Sequence, residues 1–321
     1  MKENKRVFLS WTKGGSRRTD SLSKILNFEV FRFSIFPRKI FFSPIKFPLQ
    51  FFVTLFYLFK KKPDVIIAEF CQPIIGLPCL IYKYFFKKPC IIDLHSGPII
   101  SKKWLFLKPF THFILINSDL IIIHEKTIKE KLIFEKNKKI IILHDPPLIT
   151  KPLFLPKYGN YLIFPASGDT DEPIEELIKA SFFLKDVEIF ITGNVKKRKN
   201  YKIPDNLKFT GFLAKEDFYE LLKNSAGVIS LTKWDYTLTC SSLEALCFEK
   251  PVILTDKEAF KKFFKDAAIY VENNAFSISE GIKRLLLNYD LYLKRIKKLK
   301  DEYILNWNEE VKFLKNILFS L

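Results

Sequence analysis

The chain predicts an α/β protein made of two tandem doubly wound domains. Three observations lead there. Short β-branched runs alternate with helix-length stretches along the whole chain, a proline-rich break falls near the middle, and 321 residues exceed one ordinary core. Apolar residues make up 48% of the chain, enough to fill a core in each half.

Val7–Trp11 reads as a first strand, closed by the turn Lys13-Gly14-Gly15-Ser16, and Phe28–Phe33 reads as a second. Ile40–Phe59 is intensely apolar, but Pro44, Lys46, Pro48 and Gln50 interrupt it. The remaining run from Leu49 is about half the length that a bilayer crossing requires. It predicts an amphipathic or buried helix ending at Lys60-Lys61-Lys62 rather than a span. Val65–Ala68, Cys90–Ile92, Leu120–Ile123 and Ile140–Leu143 have the pattern of fully buried parallel strands. Ile74–Phe86 and Lys126–Phe134 are helix-length, which makes a βαβ alternation.

Pro146-Pro147, Lys151-Pro152 and Pro156 form the linker, so a first domain is expected over 1–156 and a second over 157–300. The alternation then resumes. Tyr161–Pro165, Val187–Thr192, Lys208–Gly211, Gly227–Leu231, Pro251–Leu254 and Ala268–Val271 read as strands, and Glu172–Leu184, Glu216–Ser225 and Ser242–Phe248 as helices. From Ile278 to Leu321 the apolar spacing is helical. Two such domains would leave an interdomain cleft at the carboxyl ends of their strands, where open α/β sheets bind ligands.

The net charge of +18 is uneven: residues 1–156 carry +16 and residues 157–321 only +2, and 20 of the 34 Phe lie in the first part. A basic, Phe-rich domain points to an anionic partner, either nucleic acid or a membrane surface. Phe36-Pro-Arg-Lys-Ile-Phe-Phe, Tyr82-Lys-Tyr-Phe-Phe-Lys-Lys88 and Lys102-Lys-Trp-Leu-Phe-Leu-Lys108 interleave cations with aromatics as a membrane-surface protein does. Alternatively, the aromatics are core and the lysines solvate it. No nucleic-acid reader motif is visible, so no nucleic-acid partner is expected. The five cysteines form no C-x-x-C pair and mostly sit in apolar runs, which fits a reduced, cytoplasmic compartment. The polar start Met1–Arg6 is not a signal peptide.

The stretch Val228–Leu246 runs from an apolar strand through a polar loop into a helix beginning near Ser241. Backbone N–H groups at such a start suit a diphosphate, with Glu244 one turn in to accept from ribose hydroxyls. Ser241-Ser-Leu-Glu244 is equally a capping box, in which Glu244 serves only the backbone. His95, in Asp93-Leu-His-Ser-Gly97, follows a strand and suits a hydrogen bond to a ligand in the cleft or a proton transfer near neutral pH; it also reads as a loop histidine. His112, His124 and His144 sit in or beside apolar runs and read as structural. The four His and the scattered Asp show no metal-ligand spacing, so no metal is expected. No P-loop, G-x-S-x-G elbow or complete G-x-G-x-x-G occurs, which removes the usual support for ATPase, hydrolase and dehydrogenase readings.

Several segments together resemble glycosyltransferase family 4, of the GT-B superfamily. These are the loop and helix up to Leu246, Glu249-Lys-Pro-Val-Ile-Leu-Thr-Asp256, Phe264-Lys-Asp-Ala-Ala-Ile-Tyr-Val271, Leu207-Lys-Phe-Thr-Gly-Phe-Leu213 and Phe190-Ile-Thr-Gly-Asn194. In the first half, Lys62-Pro-Asp-Val-Ile-Ile67 and Ile91-Ile-Asp-Leu-His-Ser-Gly97 also match. The resemblance implies two Rossmann-like domains, the second binding a nucleotide sugar and the first the acceptor. It further implies that segment 301–321 packs back on the first domain. A retaining, metal-independent hexosyl transfer is implied, with no cofactor beyond the nucleotide-sugar co-substrate. The acceptor would be a lipid-linked or polysaccharide glycan at the inner face of the cell membrane.

On this reading Gly14, Gly15, Ser167, Gly193, Thr239, Cys240, Ser241, Ser242 and Glu244 are the expected donor-binding residues, and His95 and Asp235 the catalytic ones. Two features depart from the family pattern. Its first glutamate falls at Tyr236, beside Asp235, and its diphosphate-gripping Arg and Lys are replaced at best by Lys196, Lys197 and Arg198. A non-catalytic GT-B-like scaffold subunit, or less plainly a basic nucleic-acid-binding protein, is the alternative.

Overall fold

The computed structural model describes residues 5–12, 14, 16–35, 43–132, 139–148, 161–168, 170–193 and 202–320. Lys13, Gly15, the 36–42 run, Pro152, Pro156 and residues 196–198 fall outside this set. The chain divides into two compact units, Met1–Pro146 with Trp307–Leu321, and Pro147–Asn306.

In the first unit, strands β1 (Arg6–Ser10), β2 (Glu29–Arg32), β3 (Val65–Phe70), β4 (Cys90–Leu94), β5 (Leu120–Ile123) and β6 (Ile140–Ile142) make one sheet. Its order is β2-β1-β3-β4-β5-β6, with every pair parallel. The strands β3, β4 and β5 are buried along their whole length, as the β-branched runs predict. Helices α1 (Arg17–Leu26), α2 (Ser43–Lys61), α3 (Gly76–Phe86), α4 (Gly97–Ile100) and α5 (Lys108–Asn117) connect them.

Three local differences from the sequence reading have simple causes. Helix α1 is one the apolar periodicity does not announce; its ends are set by Ser16, which accepts from the Thr19 N–H, and by Asn27 in the left-handed region. Helix α2 runs straight through Pro48. The only hydrogen bond lost there is to the carbonyl of Pro44, within the first turn, where both prolines are exposed to water. The expected helix 126–134 is a 3₁₀ turn, Lys126–Lys131, because Glu125 caps Thr127 and the apolar spacing stops there.

The second unit repeats the plan with β7 (Tyr161–Pro165), β8 (Glu188–Thr192), β9 (Leu207–Gly211), β10 (Gly227–Ser230), β11 (Val252–Thr255) and β12 (Ala268–Val271). Their order, β12-β11-β10-β7-β8-β9, is again all parallel. Read from β9, this is the 3-2-1-4-5-6 order of dinucleotide-binding sheets, with the reversal between β7 and β10. Helices α6 (Ile174–Ser181), α7 (Lys215–Asn224), α8 (Cys240–Cys247), α9 (Glu258–Phe264) and α10 (Ala275–Leu287) flank it. Two buried clusters line the two faces of the sheet.

The final helix, α11 (Tyr289–Ser320), is shared. Tyr292, Leu293, Ile296, Leu299 and Tyr303 belong to the cores of the second unit. Trp307, Val311, Leu314, Ile317 and Leu318 belong to that of the first, packed with Phe8, Leu22, Ile67 and Ile122. Among the described residues, no helix is long and apolar enough to cross a membrane.

Candidate functional site

Open α/β sheets place ligands beyond the strand carboxyl ends where the strand order reverses. In the second unit that point lies between β7 and β10, and the loops after both strands are tied together. The Thr232 hydroxyl donates to Asp171 at 2.7 Å and the Lys233 N–H to the Asp171 carbonyl at 2.8 Å. Thr232 is also anchored to β11, since its N–H donates to Thr255 Oγ1 at 3.0 Å, and its carbonyl accepts from Asn273 at 3.0 Å.

Helix α8 starts at this junction. Its N-cap is Thr239, whose hydroxyl accepts from the Ser242 N–H at 3.3 Å. The capping-box alternative therefore falls, because Glu244 is the fifth helical residue and the cap position lies two residues before Ser241. Ser230, at the end of β10, bridges to Thr239 Oγ1 at 2.6 Å and to Ser241 Oγ at 2.7 Å. Three hydroxyls thus converge on the positive end of the helix. Cys240 is exposed and Thr239, Ser241 and Glu244 are half-buried, so this turn presents one face to solvent. Ser242 is fully buried, its hydroxyl turned onto the Thr239 carbonyl at 2.8 Å.

Other expected residues of this unit are placed as follows. Ser167 is exposed on the loop after β7. Its N–H and hydroxyl, with the Gly168 N–H, are gathered by Glu172 at 2.7, 2.8 and 3.0 Å. Gly193 has φ +89, and a Cβ there would stand 1.7 Å from the Ala166 carbonyl, so only glycine fits where β8 ends against β7. Asp235 is 59% exposed and pairs with Lys257 at 3.0 Å, while Tyr236 beside it takes a left-handed φ of +57.

In the first unit, Gly14 has φ +84 on the exposed loop after β1, a backbone that only glycine adopts freely. His95 follows β4 and belongs to a polar cluster at the ends of β1, β3 and β4. Arg18, on the first turn of α1, donates to Asp93 at 2.8–3.1 Å, to Asp145 at 3.0 Å, and to the carbonyls of Leu143 and His144. Burial alone would lower the Arg18 pKa, but Asp93 and Asp145 outweigh it and hold the guanidinium above its ordinary value. Glu69, also buried, accepts from Ser10 and from Thr12. His124 is buried with Nδ1 3.4 Å from the Leu94 carbonyl, and burial pushes it down to about 4. His144 is engaged by Glu310 on α11 at 2.6 Å.

Sequence reasoning missed Ser230, Glu69, Arg18 and Glu172. Glu69 alone carried a local signal, as a single carboxylate inside the otherwise apolar run Val65–Phe70.

Residues 149–302 match the family model described as glycosyl transferases group 1. No curated protein matches by sequence. Several solved structures share the fold. Anabaena HepE in complex with UDP and glucose aligns with a TM-score of 0.74 at 14% identity, over 99% of this chain and 100% of its own. Sucrose-phosphate synthase from Thermosynechococcus elongatus aligns at 0.79 and 14%, over 99% of both chains. A glycosyltransferase from Rickettsia africae aligns at 0.72 and 15%, over 98% of both. The chain therefore has the GT-B fold of two Rossmann-like units, and its second unit carries the match to group 1 glycosyl transferases.

Proposed function

We propose that this protein transfers a hexosyl group from a nucleotide-sugar donor to a lipid-linked or polysaccharide glycan acceptor at the cytoplasmic face of an anionic membrane. The carrying observation is the start of α8. Ser230, Thr239 and Ser241 converge there on a helix N-terminus at the reversal point of a 3-2-1-4-5-6 sheet, inside the segment that matches the glycosyl transferase model. That end of a helix favours a diphosphate without any metal at the donor. Glu244, one turn further, accepts from the ribose hydroxyls. His95 and Asp235 serve the transferred sugar and the acceptor hydroxyl, and the configuration is retained. The UDP bound in HepE makes UDP-sugars the first donors to test.

Helix α2 supports the membrane part of this reading, because it exposes a stripe of large apolar side chains. Two of its polar residues face inward: Gln50 donates to the Phe33 carbonyl at 2.8 Å, and Thr54 accepts from the Trp11 indole at 2.9 Å. The opposite stripe, Ile45, Leu49, Phe52 and Phe56, is exposed, with Phe56 at 70%. Beside it, Phe47, Phe51, Trp104 and Phe106 line an open apolar groove of about 530 Å³, with Lys102, Lys103 and Lys108 on the neighbouring segment. Apolar residues flanked by lysines fit the headgroup boundary of an anionic bilayer.

Thermal shift with UDP-, GDP- and ADP-sugars, followed by transfer to membrane extract, tests the reading. One donor should raise the melting temperature. Glu244→Ala should abolish that rise and lower transfer at least tenfold while melting within a few degrees of the parent; an undiminished rise removes Glu244 from the site. The scaffold alternative draws on Asp235, whose carboxylate is already paired with Lys257. It predicts donor binding with no turnover on any acceptor.

A further inference from the structure

The first unit holds a second chemical centre, separate from the turn into α8 and sharing only His95 with the proposed transfer. At the ends of β3 and β4, Glu69, Cys71 and His95 bring one carboxylate oxygen, one thiol sulfur and one imidazole nitrogen within 4.8 Å of one another. We propose that these three side chains bind a divalent transition-metal ion of the zinc class.

The first support is an unanswered charge. The Glu69 carboxylate has 0% exposure, and its Oε2 is held by Ser10 and Thr12. Its Oε1 is buried and makes no hydrogen bond, and the same is true of His95 Nε2, 3.9 Å away. Two unpaired polar atoms face each other at a distance too long for a hydrogen bond. A buried carboxylate oxygen needs a donor or a cation.

The second support is the charge of the neighbourhood. Arg18 is engaged by Asp93 and Asp145 and not by Glu69. Among the described residues, no Lys or Arg comes within ion-pair distance of Glu69, whose nearest basic atom is His95 Nε2. Glu69 is thus a buried carboxylate with no Lys or Arg partner among the described residues, a charge that a dication offsets.

The third support is the ligand chemistry. One sulfur, one imidazole and one carboxylate make a borderline-soft set suited to Zn²⁺, with a fourth position left open. A tetrahedral zinc site sets neighbouring O and N ligands about 3.3 Å apart, so a small side-chain rotation closes the 3.9 Å gap. Ser10 and Thr12 hold the remaining carboxylate oxygen of Glu69, the outer-shell support that orients a metal ligand. With Nε2 on the metal, any hydrogen bond from His95 to a sugar would have to come from Nδ1.

The full chain, stripped with a chelator, is titrated with Co²⁺ and, against a chromophoric chelator, with Zn²⁺. One equivalent is expected, and the Co²⁺ form should show a near-ultraviolet thiolate-to-cobalt charge-transfer band. Cys71→Ser should remove that band, and His95→Ala and Glu69→Gln should weaken Zn²⁺ binding at least tenfold. Cys71 is only half-buried, so its variant is expected to fold, and circular dichroism checks this. Absence of stoichiometric binding overturns the proposal. So does a band that survives in Cys71→Ser, which would assign the metal to another cysteine such as the exposed Cys240. Donor-induced thermal shift measured on Cys71→Ser separates this outcome from failure of the transferase reading.

Discussion

Lys250 shows how a motif residue acquires a structural task. In the Lys-Pro-Val-Ile motif its side chain is buried, and the ammonium donates to the Ser225 carbonyl at 2.9 Å, joining the end of α7 to the start of β11. Burial lowers its pKa from 10.5 to about 8, with Glu249 partly opposing. Between these two values the unfolded chain holds a proton that the folded chain has released, so this residue's contribution to stability rises as pH rises through the window. The gain is on the order of 2 kcal/mol. Urea unfolding of the parent and of Lys250→Met at pH 8 and pH 10 measures it. The parent should gain on the variant at the higher pH, and parallel changes in both would show that Lys250 titrates normally. Position 249 completes the picture. Glu249 takes a left-handed φ of +56 and is held by Lys300 at 2.8 Å. An ion pair thus accompanies a backbone conformation that an L residue adopts at a cost, and helps offset that strain.

At the scale of an element, α2 is the part of the fold whose surface asks for a partner. Leu58, Thr54 and Gln50 are fully buried along one side, so the helix cannot roll to hide its phenylalanines without breaking the bonds of Gln50 and Thr54. Exposed apolar area then stays available for an interface, each buried side chain being worth about 1.5–3 kcal/mol. The double variant Phe52→Ser/Phe56→Ser should fold with unchanged stability, because neither residue is buried. It should lose at least tenfold in sedimentation with vesicles containing anionic lipid. Equal sedimentation of variant and parent would remove α2 from the proposed membrane contact. The turn into α8 makes the opposite case. There the polar residues are local in sequence, Thr239 to Glu244, and the hydroxyl cluster needs only Ser230 from the preceding strand.

At the scale of the molecule, α11 makes the end of the chain part of the first unit. Trp307 donates its indole N–H to the His144 carbonyl at 3.1 Å, Glu310 takes the His144 N–H at 2.9 Å, and Leu314 is fully buried. Leu314→Ala should therefore cost about 2–5 kcal/mol of stability in the first unit. Donor-induced stabilisation, proposed for the second unit, should persist in that variant. A change under 1 kcal/mol by chemical denaturation would show the helix is not integral to that core.

What was legible without coordinates was whatever depends on neighbours along the chain. The alternation of β-branched runs with helical stretches specifies parallel sheets, because burial on both faces demands unbroken apolar strands. Thr239–Glu244 was visible as a strand-to-helix turn for the same local reason. Only the tertiary structure could assemble the cluster of the first unit. Ser10 meets Glu69 across 59 positions, and Arg18 meets Asp93 across 75 and Asp145 across 127. Strand order sets those encounters: β1 lies beside β3, and β4 follows, so their carboxyl ends gather side chains that no spacing rule connects. The inward turn of Gln50 and Thr54 on α2 was hidden too, since hydrophobic periodicity says which residues share a face and packing decides which face is buried.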